Sequence, residues 1–133
     1  LRARVQRAGL SNLRAPIELD ASSSEWPVGQ ADAIYNANMI HISPWEVTLG
    51  LFAGAAQLLQ SGAPLVTYGP YAVDGRHTSE SNAEFDRSLK TRDPRWGVRD
   101  TAELKTVASQ HGFDLEGIIP MPANNLTLLW RAR

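Results

Sequence analysis

The chain has 133 residues, of which 43% are hydrophobic and 20% are charged, as in an ordinary single globular domain. Thirteen basic and fourteen acidic residues give a net charge of −1, which offers no general attraction for nucleic acid or an anionic membrane. The lack of cysteine excludes disulfides and thiolate metal sites. No apolar stretch approaches the roughly 20 residues that a membrane span needs. We therefore predict one cytoplasmic domain over residues 1–133.

The first third of the chain is predicted to form one helix and two strands. The helix covers the opening residues and ends at Gly9. The first strand is predicted at Ala15–Leu19, at a sheet edge because of Pro16, and the second at Ala33–Tyr35, where the run is apolar on both faces. Because the sequence starts at Leu1 inside what reads as the later part of a helix, we expect the domain to have lost its front.

The clearest predicted element is the helix that follows the stretch NANMIHISPWE. Ser43 is predicted to cap it, with Pro44 at the first helical position and Glu46 reaching back to the cap. Apolar residues then recur at helical spacing. Gly50 and Gly54 form a G-x-x-x-G pattern, which predicts close packing of this helix on the sheet.

The second half of the chain is predicted to contain a third strand, two helices and two closing strands. The strand covers Pro64–Tyr68, and capping patterns at Ser81 and Asp100 open the two helices. The last two strands are joined by a short link at residues 122–124, which predicts an antiparallel pair. Alternating strands and helices predict an α/β fold, with a parallel sheet covered by helices.

Polar and aromatic residues follow each of the first three predicted strands. Ligands of open α/β sheets bind beyond the carboxyl ends of the strands, so these residues predict a single shared cleft. They are Asp20, then Asn38, Met39, Ile40 and His41, then Tyr68 and Tyr71.

Several of these residues also have a purely structural explanation. Asp20 can cap its own turn, Asn38 can bond the loop backbone, and His41 can make a local hydrogen bond. The three histidines lack metal-ligand spacing, so no metal site is predicted. Neither a G-x-S-x-G elbow nor a G-x-G-x-x-G loop is present.

Long runs of the sequence resemble a known family. The runs NMIHISPW, GRHTSESNAEFD and RDPRWGVRD, within a similarity that covers nearly all 133 residues, are similar to the methyltransferase-like protein 26 family of bacteria and animals. The resemblance implies a class I, Rossmann-like fold for methyl transfer that depends on S-adenosylmethionine, with a sheet that ends in an antiparallel hairpin.

The resemblance also implies roles for the residues at the strand ends. Asp20 with Ala21 would lie near the adenine of the cofactor, and the loop Asn38, Met39, Ile40 and His41 near its methionine part. His41 and Tyr68 are the predicted catalytic residues, which would orient the methyl acceptor. The segment from Asp74 to Arg99 would cover the substrate or be a solvated surface. The predicted substrate-binding residues are Tyr71, His77, Asn82 and Arg99.

The sequence departs from the family pattern at its start. Family members carry a glycine-rich E-x-x-S-G-T-G-type loop and an acidic strand end upstream, and this sequence has neither. In the class I strand order 3-2-1-4-5-7-6, the two absent strands would lie between Ala15–Leu19 and Ala33–Tyr35. We therefore expect a further N-terminal segment, a partner chain or a swapped copy to complete the sheet, and the chain alone to be inactive.

Three functions stay open at this point. The first is the C-terminal part of an S-adenosylmethionine-dependent methyltransferase acting on a small molecule or a protein. The second is a non-catalytic methyltransferase-like binding module. The third is another nucleotide-binding Rossmann enzyme, such as a reductase that uses a nicotinamide.

Overall fold

The fold is a four-stranded mixed sheet with helices packed on one face, described over residues 1–133 by a computed structural model. The elements are α1 Arg2–Ala8, β1 Ile34–Ala37, α2 Trp45–Leu58, β2 Pro64–Gly69, α3 Glu80–Arg92, α4 Thr101–Gln110, β3 Phe113–Met121, a short 3-10 turn Pro122–Asn124 and β4 Asn125–Ala132. The strand order is β1-β2-β4-β3, with β1 parallel to β2 and β4 antiparallel to both of its neighbours. The predicted Rossmann-like α/β class with a closing antiparallel hairpin is confirmed.

One face of the sheet is buried beneath α2 and α4. Phe52 of α2 meets the rings of Phe113 and Trp130 edge-on, with ring centroids 5.9 and 5.3 Å apart. The indole N–H of Trp130 donates to the hydroxyl of Thr67 at 3.0 Å, so this buried polar pair is satisfied. Aromatic residues of this size dominate core energetics, and they fix α2 across β2, β3 and β4.

The opposite face of the sheet is open to solvent. Tyr35 on β1 is 67% exposed and Ile119 on β3 is 47% exposed. The apolar side chains of a strand alternate between the two faces, so the covered face holds Leu65 and Leu128 while this face holds their sequence neighbours. None of the helices combines the length and apolar composition that crossing a membrane requires.

The predicted strand at Ala15–Leu19 is wrong. These residues form no regular structure, and Ile17 is 57% exposed. A strand needs a neighbour to take its backbone hydrogen bonds, and no strand of this chain lies beside the segment. Sequence preference alone does not supply that pairing.

The G-x-x-x-G pattern packs α2 against a loop, and not against the sheet as predicted. A methyl group on Gly50 would overlap the carbonyl of Ala21, and one on Gly54 would overlap the ring of Trp26. The two glycines therefore form a shallow groove that receives residues 21–26. Ala21 is buried there, at only 6% exposure.

The cap predicted at Ser43 is also wrong. Helix α2 begins at Trp45, with Pro44 just before it, and no side chain caps it. The hydroxyl of Ser43 donates to the carbonyl of Met39 at 2.6 Å instead. The Ser43 hydroxyl therefore bonds the backbone of the loop that precedes it. This local hydrogen bond forms in place of the helix cap that the same hydroxyl was predicted to make.

The two later capping predictions have different outcomes. Asp100 caps α4 by accepting the N–H of Ala102 at 2.7 Å, as predicted. Helix α3 starts two residues earlier than predicted, because Ser79 and not Ser81 accepts the N–H of Asn82, at 3.1 Å. The backbone of Ser79 is extended, as a cap residue requires.

Candidate functional site

Strands β1 and β2 end side by side and bring their following residues together. The N–H of Asn38, the first residue after β1, donates to the carbonyl of Tyr68 at 2.9 Å. Asn38 has a φ of 61°, a left-handed conformation that asparagine tolerates, and it turns the chain away from the sheet. Gly69 ends β2 directly against the ring of His41, where a side chain would overlap the imidazole. Asn38, His41 and Tyr68 thus share one strand-end region.

His41 is fully enclosed in this region, with 0% of its surface exposed. Its Nδ1 accepts the backbone N–H of Arg99 at 3.1 Å, and its carbonyl accepts the N–H of Gly97 at 2.9 Å. The edge of the Tyr71 ring lies 4.7 Å from the imidazole, centroid to centroid. Burial, and then the positive charge of Arg99, lower the pKa of His41 to about 3, so the imidazole is neutral at physiological pH.

Because Nδ1 of His41 is an acceptor, the proton of the neutral ring lies on Nε2. Nε2 has no hydrogen-bond partner among the protein atoms. Buried polar groups are usually paired, so an enclosed donor at a strand end is a candidate ligand contact. The structure thus places a neutral N–H donor where sequence analysis predicted a catalytic residue.

Arg99 joins the loop after β1 to a distant part of the chain. Its guanidinium donates to the carbonyls of Ile40 at 3.0 Å, Ser43 at 2.8 Å and Arg95 at 2.8 Å, and lies 5.4 Å from the Trp45 ring centroid. We call residues 38–43 the strand-end loop and residues 95–99 the clamp. Arg99 was predicted to bind substrate, but its guanidinium is occupied by these backbone carbonyls.

Asp86 on α3 fixes the backbone of the clamp through a hydrogen bond with Val98. This buried carboxylate accepts the N–H of Val98 at 2.8 Å and the ammonium of Lys90 at 2.6 Å, and it lies 3.7 Å from Nε2 of His77. Burial alone would raise the pKa of Asp86, but the hydrogen bonds from Lys90 and Val98 outweigh it and hold the pKa below its usual value. Sequence analysis did not single out Asp86 within the polar segment, although its i, i+4 spacing with Lys90 indicates a salt bridge on a helix.

Asp20 caps its own turn, which is the structural alternative that sequence analysis offered for it. It is exposed, and its Oδ1 accepts both the N–H and the hydroxyl of Ser22, at 2.9 and 2.7 Å. These hydrogen bonds lower the pKa of Asp20, so it is a carboxylate with Oδ2 outside the turn. Ala21 beside it packs on Gly50, near the start of α2. Asp20 therefore lies beside the first half of α2.

The other predicted residues divide into enclosed and accessible groups. Ile40 and Tyr71 are fully buried, and burial raises the pKa of the Tyr71 phenol. The Asn82 amide donates to Asn124 at 2.9 Å, on the turn between β3 and β4. The side chain of His77 is 33% exposed. These side chains do not form one continuous substrate surface within this chain.

A cavity of about 330 Å³ lies elsewhere, between α1 and the segment that follows it. Its lining includes Val5, Leu10, Leu13 and Pro16, and none of the predicted site residues. Helix α1 itself buries no residue. This cavity is therefore separate from the strand-end region.

A family model described as a protein of unknown function, DUF938, matches residues 1–132. The chain belongs to that family.

The solved structures that share this fold include methyltransferases. The mitomycin 7-O-methyltransferase MmcR superposes with a TM-score of 0.83 at 15% identity, over 99% of this chain and 38% of that one. An O-methyltransferase family protein from Burkholderia thailandensis gives 0.76 at 19% identity, over 98% and 39%. CalO1, a methyltransferase in calicheamicin biosynthesis in its SAH-bound form, gives 0.75 at 14% identity, over 92% and 35%. At these identities the likeness shows the fold, and this chain spans less than two-fifths of their length.

Proposed function

We propose that this chain forms the C-terminal part of a methyltransferase that uses S-adenosylmethionine. The observation that carries the proposal is the strand-end loop at the carboxyl ends of two parallel strands, where ligands of open α/β sheets bind. The matched fold of CalO1 in its SAH-bound form and of MmcR supports the same function. The resemblance to the methyltransferase-like protein 26 family agrees with this assignment.

The residues present suit the chemistry of this cofactor. The free Oδ2 of Asp20 offers an acceptor for the hydroxyl or amino groups of a nucleoside. Asn38 is exposed, and Met39 is partly buried beside it. The unpaired Nε2–H of His41 adds a donor in the same region. We assign Asp20, Ala21, Asn38, Met39 and Ile40 to the cofactor side of the site.

The contribution of this chain to methyl transfer is orientation. S-adenosylmethionine, when bound, supplies a methyl group that passes to a nucleophilic atom of the acceptor as the carbon–sulfur bond breaks. The Nε2–H of His41 holds an oxygen of the acceptor by a hydrogen bond. Tyr68, whose side chain lies on the open face of the sheet, takes part in the strand-end region through its backbone carbonyl. Fixed geometry of this kind supplies a large part of the acceleration of a two-substrate reaction.

The acceptor is a small molecule or a protein, and the reaction takes place in the cytoplasm. His77 is the partly exposed member of the predicted substrate-binding group, next to the Asp86 carboxylate. Tyr71, Asn82 and Arg99 shape the site from beneath, because their polar groups lie within the fold. A further segment of chain or a second copy completes the cofactor site.

Calorimetry with S-adenosylmethionine tests the proposal. The chain, together with the segment or second copy that completes its cofactor site, binds it. Asp20→Asn, which keeps the turn bonds of Oδ1, weakens binding by about tenfold through the lost charge-assisted bond. Glu25→Gln removes a carboxylate from the same exposed loop and leaves binding unchanged. Failure to bind S-adenosylmethionine, or binding of NADH in its place, would contradict the proposal.

A further inference from the structure

We propose that His41 acts as a fixed hydrogen-bond donor through Nε2, and that Asp86 is the positioning residue that sets this state. The ligand group that meets Nε2 is an oxygen acceptor, such as a carboxylate, a carbonyl or a deprotonated hydroxyl. This inference rests on the proposed function, since it concerns the same strand-end region. It assigns His41 a role different from that of a general base.

The first step is the fixed tautomer. The lone pair of Nδ1 faces the backbone N–H of Arg99 at 3.1 Å. A backbone amide cannot become an acceptor, unlike a hydroxyl or a water, so Nδ1 stays unprotonated while this bond lasts. A general base needs a free lone pair facing the proton it removes, and the one lone pair of this neutral ring is already used.

The second step is the direction of Nε2. The imidazole is enclosed by the edge of Tyr71 and by the backbone of Gly69, and the Asn38 side-chain oxygen lies close to the same position. Gly69 and Asn38 lie at the carboxyl ends of β2 and β1. Nε2 therefore lies enclosed against the backbone of Gly69, at the edge of the sheet where ligands of this fold bind.

The third step is the support provided by Asp86. Its Oδ1 fixes the N–H of Val98 at 2.8 Å, and the residues on either side of Val98 both donate to His41. Gly97 reaches the His41 carbonyl and Arg99 reaches Nδ1. One buried carboxylate thus holds the three-residue segment that determines the tautomer. Second-sphere partners orient catalytic and metal-binding histidines in the same way.

The charged and titratable groups around His41 come from several elements. The Arg99 guanidinium belongs to the clamp and the Tyr71 phenol to the segment after β2. Lys90 and His77 reach the region only through Asp86. Arg99 is the charge that acts on His41 directly, and it opposes protonation of the ring.

Nitrogen-15 NMR of the histidine rings in the ligand-free protein tests the tautomer. We expect a protonated Nε2 and an unprotonated Nδ1 for His41, unchanged from pH 8 to pH 5. His111 serves as an internal reference, because its Nδ1 lies 2.8 Å from a backbone carbonyl and takes the opposite proton position. Protonated Nδ1 on His41, or an imidazolium at pH 6, would overturn the proposal.

Two substitutions at Asp86 test the positioning role. Asp86→Asn keeps an oxygen for the Val98 N–H, so the single tautomer is retained. Asp86→Ala removes that oxygen, and the His41 signals become those of mixed tautomers. Lys90→Ala is the control, since it removes the salt bridge and leaves the Val98 bond in place. A single Nε2–H tautomer in folded Asp86→Ala would overturn the role of Asp86.

A milder variant covers the case in which Asp86→Ala does not fold. A methyl group on Gly97 would lie 3.0 Å from Oδ1 of Asp86 and 3.1 Å from Cε of Lys90, so Gly97→Ala displaces the clamp by a small amount. We expect the His41 tautomers to become mixed in this variant as well. Retention of a single His41 tautomer in Gly97→Ala would contradict the claim that the clamp sets the tautomer.

Titration of the NMR sample with S-adenosylhomocysteine, alongside calorimetry, separates this inference from the proposed function. Binding that shifts the Nε2 signal of His41 and leaves His111 unchanged supports the donor role. Binding in calorimetry without a change at Nε2 overturns the donor role and leaves the proposed function standing. Absence of binding in calorimetry overturns the proposed function and the ligand role together.

Discussion

The strand-end loop and the leading segment, residues 10–30, differ in what holds them. Arg99 bonds the strand-end loop from 56 to 59 positions away along the chain, and it encloses Ile40, His41 and Ser43. The leading segment contacts α2 where Ala21 and Trp26 meet the two glycines, and most of its residues are exposed. Sequence analysis assigned residues of both regions to the cofactor side, Asp20 and Ala21 in the leading segment and Asn38, Met39 and Ile40 in the strand-end loop. The comparison shows that hydrogen bonds from a distant part of the chain, and not local composition, determine which loop is enclosed.

Arg99→Ala, which acts on the strand-end loop, gives the largest expected loss in the free energy of unfolding. The substitution leaves three backbone carbonyls without their charged donor, at about 1 kcal/mol each, so we expect a loss of about 3 kcal/mol in the free energy of unfolding. Arg87→Ala is the control, because its exposed salt bridge with Glu80 contributes no more than about 0.5 kcal/mol. Equal losses in urea denaturation would show that Arg99 stabilises the strand-end loop no more than an exposed salt bridge stabilises α3.

The pH dependence of stability has the next largest expected effect. The pKa of His41 is about 3 in the folded protein against an ordinary value of 6.5, so the unfolded chain binds this proton more readily. The stabilisation is complete above pH 6.5 and is lost as the pH falls toward 3. Between pH 6.5 and pH 5 we expect a loss of about 2 kcal/mol.

His41→Asn isolates this contribution, because its side-chain oxygen still accepts the Arg99 N–H and does not titrate in this range. The other two histidines are present in both proteins, so the difference between the two pH profiles belongs to His41. Parallel profiles for the two proteins would show that His41 is not held neutral by the fold.

Gly50→Ala acts on the attachment of the leading segment and has a smaller expected effect. The new methyl group displaces the backbone of Ala21, and the cost of that displacement exceeds the roughly 1 kcal/mol by which alanine favours the helix over glycine. We expect a net loss of about 1 kcal/mol and faster amide exchange in residues 20–26. Gly29→Ala is the control, since no atom lies within 4 Å of its added methyl group. Unchanged amide exchange in residues 20–26 would show that this loop does not pack against Gly50.

Ile17→Ser has the smallest expected effect. The side chain is 57% exposed and the segment pairs with no strand, so the free energy of unfolding changes by less than about 0.5 kcal/mol. Thermal denaturation of the two proteins measures the difference. A loss above about 1 kcal/mol would show that Ile17 is buried against another part of the protein in solution.

Sequence analysis predicted the elements whose signals are local. The Asp100 cap and the Gly9 helix end follow from side chains and backbone preferences within a few residues. The strand at Ala15–Leu19 failed because a strand depends on a neighbour, which local sequence does not contain. Ser43 failed because its hydroxyl had two possible acceptors within reach, and the backward bond to Met39 formed instead of the cap.

The candidate site was predictable to a similar extent. Asn38 and Tyr68 were placed together because parallel strands end at the same edge of a sheet, and their backbones are joined by a hydrogen bond of 2.9 Å. The clamp was not predictable, since nothing near Arg99 in the sequence indicates a bond to residues 40 and 43. The same is true of Asp86, whose effect on His41 passes through Val98.

The central claim is that the strand-end loop forms the ligand-facing part of this fold. Its most direct test is amide chemical-shift mapping during titration with S-adenosylhomocysteine, with the segment or second copy that completes the cofactor site present. We expect the largest shifts at residues 38–41 and 69–71, and none at residues 117–119 in the middle of β3. Shifts confined to β3, or none anywhere at saturating concentration, would contradict the claim.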